Sequence, residues 1–313
     1  MRSLSLVPIF GLAACAFLGG CAGAIHSPVS GDAVIRAPAG DSEIVLTTTS
    51  RVAGAFHSLT WGGKEFINST DHGRQLQSAS NFDAGQLPMR SETFNPTEAG
   101  SRRDHIGPTS TSRLIALTTK PGQLETKTQM AFWLAPGEKS GAYPACNTTV
   151  LSNHLLEKRV QLGWHGLGHV IAYNVVFTVP EGEPHQQAVF EALTGYMPAE
   201  FSQFWKFDRA RGELAPLSDG PGEQSEPVVL ATSGGGYAMG IWSPEADARY
   251  GRFRFAREQV VKWNCVFRQG GPGQRIAPGR YPFRLFVAVG TLADVRDALQ
   301  RLPAETTAPA PAR

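Results

Sequence analysis

A short polar segment, STDHGRQLQSASNFD at residues 69–83, concentrates side chains that could bind or transform a polar ligand. His72 carries an imidazole that can move protons near neutral pH, and the Arg74 guanidinium can grip a carboxylate or two hydroxyls. Gln75 and Gln77 both donate and accept hydrogen bonds, which suits a hydroxyl-rich ligand. If the segment is extended, His72 and Arg74 point one way and the glutamines the other. On composition alone, a solvated loop with local side-chain turns is equally consistent.

A carboxylate on a tight loop follows at Glu98, within FNPTEAGSRRDH at residues 94–105. If this loop lies near His72, Glu98 is placed to act as a general base or as an acceptor for sugar hydroxyls. Arg102 and Arg103 offer nearby partners for its charge. The alternative is a surface loop with an internal ion pair.

Aromatic and acidic side chains mix in FEALTGYMPAEFSQFWKFD at residues 190–208. Glu191 is a second candidate base or nucleophile. Tyr196 and Trp205 are candidates to bind a sugar, because aromatic faces pack well against the C–H side of a pyranose ring. Aromatic residues at alternate strand positions usually belong to a core, so we expect only one or two to face a ligand.

The segment QVVKWNCVFR at residues 259–268 alternates like a strand. Its apolar face, which must be core, consists of Val261, Trp263, Cys265 and Phe267. Lys262, Asn264 and Arg268 share the other face and would bind an acidic or hydroxylated ligand if that face is concave. On a convex face they would be solvated, as is usual for one side of an antiparallel sheet.

Metal sites and cofactors are not indicated by the motifs. The loop LSDGPGEQSEP at residues 217–227 places Asp219 and Glu223 on one turn, which suits an acid–base pair or calcium, although the spacing is not that of an EF-hand. The histidines of residues 153–169 do not have the spacing of a metal-binding helix, since glycines interrupt it. We therefore expect no metal and no cofactor.

The N-terminal segment resembles a bacterial lipoprotein signal. Arg2 precedes the uncharged apolar run LSLVPIFGLAACAFLGG, which is typical of a secretory signal. The run ends in LGGC, which resembles a lipobox, so residues 1–20 would be removed and Cys21 lipidated. A second match at Cys15 would leave a shorter signal, and an ordinary secretory signal is the alternative. Ala22 after the lipidated cysteine indicates the outer membrane, at its periplasmic or cell-surface face.

The remaining chain divides into a tether over residues 21–40, a single domain over 41–303 and a disordered tail over 304–313 that is rich in Pro, Ala and Thr. Cys146 and Cys265 would be the two cysteines left besides the lipidated one. Two cysteines far apart in sequence can pair in an oxidising compartment, so a disulfide is one prediction. Two buried, unpaired thiols are the other.

Strand and turn signals dominate the chain. Residues 169–179, HVIAYNVVFTV, alternate with period two, and Gly62-Gly63 is typical of a two-residue hairpin. One helix is predicted over residues 291–302, with Thr291 as N-cap and an acidic residue three positions later. The pattern predicts an all-β fold, a large antiparallel β-sandwich with one C-terminal helix.

Two segments carry a resemblance to a known group of proteins. GAFHSLTWGGKEFI resembles the opening hairpin, and LLEKRVQLGWHGLGHVIAYNVVFTVP the paired central strands, of the galactose mutarotase-like superfamily of carbohydrate-active β-sandwiches. The likeness spans most of residues 40–290 and implies that superfamily's sandwich fold. SNHLLEKRV does not match the histidine-rich segment of aldose 1-epimerases, and no late catalytic glutamate is identifiable.

Two functions are consistent with these features. The first is an exported glycoside hydrolase or mutarotase-like enzyme with His72 as acid, Glu98 or Glu191 as base or nucleophile, and Arg74 with Gln75 orienting hydroxyls. The alternative is a non-catalytic lipoprotein that binds a glycan, and a structural envelope protein is a third. The expected partners are a carbohydrate and, through the lipid, a membrane. The net charge of +2 gives no electrostatic basis for nucleic-acid binding.

Overall fold

The computed structural model describes residues 29–307, so the predicted signal, Cys15 and Cys21 lie outside the described residues. In chain order the strands are β1 (Ala33–Ala39), β2 (Ser42–Thr48), β3 (Phe56–Trp61), β4 (Lys64–Glu65), β5 (Leu76–Phe82), β6 (Pro96–Thr97), β7 (Arg113–Lys120), β8 (Gln123–Phe132), β9 (Lys139–Ser140), β10 (Tyr143–Pro144), β11 (Leu151–Trp164), β12 (Leu167–Val179), β13 (Gln187–Pro198), β14 (Gln203–Asp208), β15 (Glu213–Pro216), β16 (Gly222–Gln224), β17 (Val228–Ala231), β18 (Ala238–Trp242), β19 (Arg249–Phe255), β20 (Val260–Gly270) and β21 (Gly279–Gly290). Short 3-10 turns cover Ser50–Val52 and Arg102–Asp104, and helix α1 covers Leu292–Thr307.

Antiparallel pairing arranges the long strands in two sheets. The first has the order β1-β2-β3-β5-β13-β20-β19-β16. The second has the order β7-β8-β11-β12-β21-β18-β17-β14-β15. Short strand β6 pairs with β5 of the first sheet and β8 of the second, and so joins them. The predicted fold class, an antiparallel sandwich with a C-terminal helix, is confirmed.

The core lies between the two sheets. Phe56 of the first sheet and Tyr173 of the second meet edge to face with ring centroids 6.1 Å apart. Phe267 and Phe283 stack at 4.3 Å in the same layer. Strict alternation produces this layer, because successive strand side chains point to opposite faces. The predicted inward face of β12 is confirmed as buried, and so is that of β20; their members are Ile171, Tyr173, Val175, Phe177, Val179, Val261, Trp263, Cys265 and Phe267.

Helix α1 covers part of the outer face of the second sheet. Its predicted N-terminus is confirmed: the Thr291 backbone N–H donates to Asp294 Oδ2 at 2.9 Å, and the Asp294 N–H donates to Thr291 Oγ1 at 3.1 Å. Val295, Leu299 and Leu302 bury the helix stripe against apolar residues of β17, β18 and β21. No helix among residues 29–307 is long and apolar enough to cross a membrane.

Two elements of the structure extend past the predicted boundaries. The tether over residues 21–40 ends in strand β1, whose residues pair with β2 along its whole length. The Trp61 indole N–H donates to the carbonyl of Ala39 at 2.9 Å and fixes the end of that strand. Helix α1 continues to Thr307, into the segment predicted to be an unstructured tail, because alanine and glutamate after Pro303 sustain another turn.

Candidate functional site

A cavity of about 390 Å³ opens on the outer face of the first sheet, where β5, β13, β20 and β19 lie side by side. These strands supply Gln77, Ala79, Asn81, Glu191, Thr194, Tyr196, Lys262, Asn264, Phe253 and Phe255, and the loops beside them supply Ser91, Glu92, Asn95 and Trp133. We call this cavity the cleft. It combines one ion pair, several amides and several aromatic rings.

A β-bulge in β13 builds the cleft floor. The pairing of β13 with β20 shifts by one residue between Glu191 and Leu193, so that Ala192 is inserted. Strict alternation would put Glu191 on the face opposite Thr194 and Tyr196, but the inserted residue turns all three toward the cleft. The carbonyl of Ala192 accepts a hydrogen bond from Ser78 Oγ at 2.8 Å, which satisfies the backbone at the bulge.

Glu191 and Lys262 form the charged centre of the cleft. Lys262 Nζ lies 3.1 Å from Glu191 Oε2, and the two side chains are 12% and 20% exposed. Thr194 Oγ1 and Asn264 Nδ2 donate to the same oxygen at 2.9 and 3.3 Å. Burial tends to raise the pKa of Glu191, but the Lys262 charge and these hydrogen bonds outweigh it, so the pKa is lowered. Glu191 is therefore an ionised carboxylate at neutral pH.

Lys262 is held as a cation by its surroundings. Burial disfavours its charge, but the negative charge of Glu191 outweighs burial and raises the Lys262 pKa. Its ammonium lies 5.1 Å from the ring centroid of Tyr196 and 5.4 Å from that of Phe253, within the range of a cation–π contact. Burial raises the pKa of Tyr196, so its hydroxyl stays protonated at neutral pH.

Two glycines let the strands of the floor approach closely. Gly195 faces Trp263 across the β13–β20 pair, and a Cβ at Gly195 would lie 2.5 Å from atoms of the indole. Gly251 donates its N–H to Asn264 Oδ1 at 3.1 Å, and a Cβ there would meet that oxygen at 2.3 Å. Asn264 is thereby fixed with its amide nitrogen toward Glu191.

Five of the predicted site residues line the cleft: Gln77, Glu191, Tyr196, Lys262 and Asn264. Gln77 is held there by its own side chain, which donates to the Gly73 carbonyl at 3.1 Å and accepts from the Ala99 N–H at 3.2 Å. The opening polar segment therefore contributes to the cleft through its C-terminal half, where β5 begins.

His72 and Glu98 do not reach the cleft. The side chain of His72 is buried. Its Nδ1 lies 2.7 Å from the backbone carbonyl oxygen of His105, and its Nε2 lies 2.7 Å from that of Arg51. Glu98 is buried between the sheets and pairs with Lys158 at 2.5 Å. Both side chains tie internal segments together, which corrects the prediction that they contact a substrate.

Four predicted ligand-binding residues also have other contacts. Arg74 pairs with Asp71 at 3.2 Å, and Gln75 is buried with its amide on Ser69 Oγ at 3.0 Å. Trp205 lies on β14 of the second sheet and packs beside the apolar cluster under helix α1. Arg268 shares the outer face of β20 but makes a two-pronged ion pair with Glu223 at 2.9 and 2.8 Å.

The predicted disulfide is wrong, since Cys146 and Cys265 are both free thiols. Cys265 is fully buried in the sandwich core, and burial raises its pKa well above the usual range. Cys146 is half-buried and lines a different cavity. Asp219 and Glu223 do not form the suggested acid–base pair or calcium site. Each carboxylate pairs instead with a separate arginine on a neighbouring strand.

Sequence reasoning missed Trp133, Phe253 and the loop residues Glu92 and Asn95. A signal existed for Trp133, because it follows the buried Phe132 and alternation places it on the opposite face. Phe253 lies on β19 and pairs with Lys262 of β20. Glu92 carries no comparable signal, since its position depends on a loop in which its φ is 65°. A group that could hold a metal, His154 with Glu183 and His185, lies outside the cleft.

Comparisons with known proteins bear on the fold. No protein-family model matches the sequence, and no match is found among curated proteins. An α-mannosidase from Enterococcus faecalis V583 is similar in structure, with a TM-score of 0.51 at 10% identity over 88% of this chain and 31% of that chain. A putative aldose 1-epimerase from Escherichia coli K12 matches with a TM-score of 0.46 at 11% identity, over 83% of this chain and 100% of that chain.

The α-mannosidase therefore shares the fold of this chain. A galactose mutarotase-like protein from Clostridium acetobutylicum is a further structural neighbour, at 9% identity and a TM-score of 0.39, over 82% of this chain and 95% of that chain. At such low identity these neighbours show the fold alone, so the function has to be argued from the cleft.

Proposed function

We propose that the cleft binds a carbohydrate. The observation that carries this proposal is the convergence of an ion pair, amides and aromatic rings in one cavity of about 390 Å³. Cavities of roughly 300–1,000 Å³ hold small-molecule ligands in many proteins. A sugar ring has apolar C–H faces and a polar rim of hydroxyls, so it needs both kinds of surface at once.

The cleft residues divide these tasks. Trp133, Tyr196 and Phe253 offer ring surface for the C–H side of a sugar. Glu191 offers a carboxylate that accepts hydrogen bonds from hydroxyls, and the amide of Gln77 keeps one N–H and one oxygen lone pair beyond its bonds to Gly73 and Ala99. Lys262 donates from a charged group, and hydrogen bonds of this kind are about twice as strong as neutral ones.

Binding without catalysis is the function that the geometry favours. A general base is most effective when its pKa lies near the working pH, whereas Lys262 and two hydrogen bonds lower the pKa of Glu191. With His72 buried elsewhere, no imidazole of the described residues lines the cleft to act as an acid. The proposal therefore follows the alternative of a glycan-binding protein.

A second candidate is an enzyme that acts on a sugar in the same cleft. It is supported by a second carboxylate, Glu92, which lines the cavity with Glu191. Two carboxylates on opposite sides of a glycosidic bond are the usual requirement for hydrolysis. In that case Glu191→Gln would abolish turnover of a glycoside or exchange of anomers, while binding without catalysis predicts no turnover by the unaltered protein.

We also propose that the protein is exported and lipidated at Cys21, which would attach it to the outer membrane. The support is the N-terminal sequence, with its basic residue, apolar run and LGGC. Labelling cells with a radioactive or clickable fatty acid tests this. Loss of the label in Cys21→Ser supports the proposal, and its persistence with loss in Cys15→Ser would assign the lipid to the other cysteine.

A panel of neutral and acidic mono- and oligosaccharides, measured by calorimetry and by tryptophan fluorescence, tests sugar binding. For any sugar that binds, Lys262→Met and Trp133→Ala should each weaken affinity by about tenfold or more, since each removes roughly 1–3 kcal/mol of contact. The matched controls are Arg268→Met on the same strand and Trp205→Phe on the other sheet. Equal affinity in all four variants, or no binding by the unaltered protein, would overturn the proposal.

A further inference from the structure

A second cavity, of about 340 Å³, lies where strand β11 begins and where the loop between β12 and β13 passes over it. Three side chains with metal-ligand atoms meet beside it: His154 from β11, and Glu183 and His185 from the loop. Their ligand atoms all lie within 4.8 Å of one another. Sugar binding in the cleft uses none of them.

The two imidazoles point at the same carboxylate oxygen. His154 Nε2 lies 2.8 Å from Glu183 Oε2, and His185 Nε2 lies 2.6 Å from it. The histidine side chains are 2% and 1% exposed, whereas that of Glu183 is 20% exposed. Two imidazole nitrogens and one carboxylate oxygen are a ligand set that Zn²⁺ uses in sites with an open fourth position.

Aromatic rings hold both imidazoles in place. The Phe82 ring centroid lies 4.8 Å from that of His154 and 4.5 Å from that of His185. The Phe94 ring centroid lies 5.1 Å from that of His185. Rings packed in this way cannot rotate freely, so the nitrogens keep their direction without a bound ion. The ligand set is therefore preorganised.

The hydrogen bonding around His185 leaves buried polar atoms without partners. When Nε2 carries the proton and donates to Glu183, Nδ1 is left as a buried acceptor, and it has no hydrogen-bond partner among the described residues. It faces another acceptor, Asp83 Oδ1, at 3.9 Å, and Asp83 Oδ2 is also buried without a partner. Buried polar atoms without partners are uncommon and require an explanation.

A metal on Nε2 supplies that explanation. The proton of His185 would then sit on Nδ1 and point toward Asp83, which is the usual arrangement of a carboxylate behind a metal-bound histidine. Asp83 is already fixed for this role, because the N–H groups of Gln186 and Gln187 donate to its Oδ1 at 2.8 and 3.0 Å. Only a small closure of the 3.9 Å gap is needed.

The cavity supplies a further unpartnered atom. Asn147 lines the same cavity as His185, is buried, and has no hydrogen-bond partner for its Oδ1 among the described residues. We propose that His154, Glu183 and His185 bind one divalent transition metal ion, with Zn²⁺ as the best match, and that its fourth position faces this cavity. Tetrahedral Zn²⁺ sets ligand atoms about 3.3 Å apart, so each histidine nitrogen would move roughly 0.5–0.7 Å away from Glu183 Oε2, while the two nitrogens, within 4.8 Å of each other, would adjust to the same spacing.

The test is metal binding by the purified protein after dialysis against a chelator. Calorimetry with Zn²⁺ and visible absorption with Co²⁺ should show one ion per chain, and Zn²⁺ should raise the melting temperature. Glu183→Gln should weaken Zn²⁺ binding by roughly tenfold to a hundredfold or more, and Asp83→Asn should weaken it within the same range by releasing His185. Glu181→Gln, an exposed glutamate of the same loop, is the matched control and should bind as the unaltered protein does.

Three results would overturn the proposal: no stoichiometric binding of Zn²⁺ or Co²⁺, equal binding by Glu183→Gln and Glu181→Gln, or binding that follows Mg²⁺ or Ca²⁺ instead. Melting curves of the metal-free variants show whether each still folds. If Glu183→Gln does not fold, His154→Asn with Asp83→Asn takes its place in the comparison. A sulfur-to-cobalt absorption band would add Cys146, which lines the cavity, as the fourth ligand and would support the site.

Discussion

Two glutamate–lysine ion pairs lie on either side of the first sheet and meet different surroundings. Glu98 and Lys158 are 2.5 Å apart between the sheets, with both side chains 0% exposed. Glu191 and Lys262 are 3.1 Å apart on the outer face, where each side chain keeps some exposure. The same two residue types therefore serve the interior in one place and face a cavity in the other.

The inner pair is closed to any ligand by its own neighbours. Ser78 donates its N–H to Glu98 Oε2 at 3.1 Å, and Lys158 donates to the carbonyl of Gly54 at 3.2 Å. The Lys158 ammonium also lies 4.5 Å from the ring centroid of Phe56. The comparison shows that a carboxylate beside a lysine becomes a candidate site only where one polar atom remains accessible.

Removing one partner of the inner pair should have the largest effect. Lys158→Met leaves Glu98 as an unpaired charge in the core, so we expect the free energy of unfolding to fall by about 3–5 kcal/mol. Urea denaturation measures this loss. The double variant Glu98→Gln, Lys158→Met should recover most of the stability, because no charge is left unpaired. If the double variant is as unstable as Lys158→Met, the loss of unfolding free energy comes from altered packing rather than from the unpaired charge.

Lowering the pH should remove the stability that ionised Glu191 contributes to the outer pair. Its folded pKa is lowered below the ordinary glutamate value of 4.5, so the ionised group contributes stability above that value. This contribution is lost as pH falls through the lowered pKa. The difference in unfolding free energy between the unaltered protein and Glu191→Gln should therefore shrink from about pH 6 to about pH 3. A difference that does not change with pH would contradict the assigned pKa.

The exposed pair of Arg268 and Glu223 should show the smallest effect. Both side chains are largely solvated, and exposed ion pairs contribute about 0–1 kcal/mol. Glu223→Gln should change the unfolding free energy by less than about 0.5 kcal/mol and leave sugar affinity unchanged. Urea denaturation and calorimetry on the same samples measure both. A tenfold loss of affinity would extend the cleft to this end of β20.

The sequence was sufficient for the fold class, because alternation in β12 and β20 and the cap at Thr291 are local signals. It was also sufficient to place Lys262 and Asn264 on one face of a strand. It was not sufficient to place Glu98, because the local sequence around this residue fits a binding site as well as the core. Its burial depends on Lys158, which is distant in sequence, and no local pattern reports that contact.

The bulge at Ala192 marks a second limit of the sequence. Period two applied across residues 191–196 puts Glu191 and Tyr196 on opposite faces, whereas the structure puts them on the same face. An inserted residue is visible only through the pairing with the neighbouring strand. The metal-ligand group has the same limitation, since His154 is brought to Glu183 and His185 by the pairing of β11 with β12.

The contact between Gly195 and Trp263 restricts how the cleft can diverge by mutation. The indole occupies the space in which any side chain at position 195 would have to fit. Thr194 and Tyr196, on either side, line the cleft, and exchanging either one changes the contacts of Glu191 or Lys262. Variants that change positions 194 and 196 but keep Gly195 and Trp263 would therefore alter which ligand binds while the sheet keeps its structure.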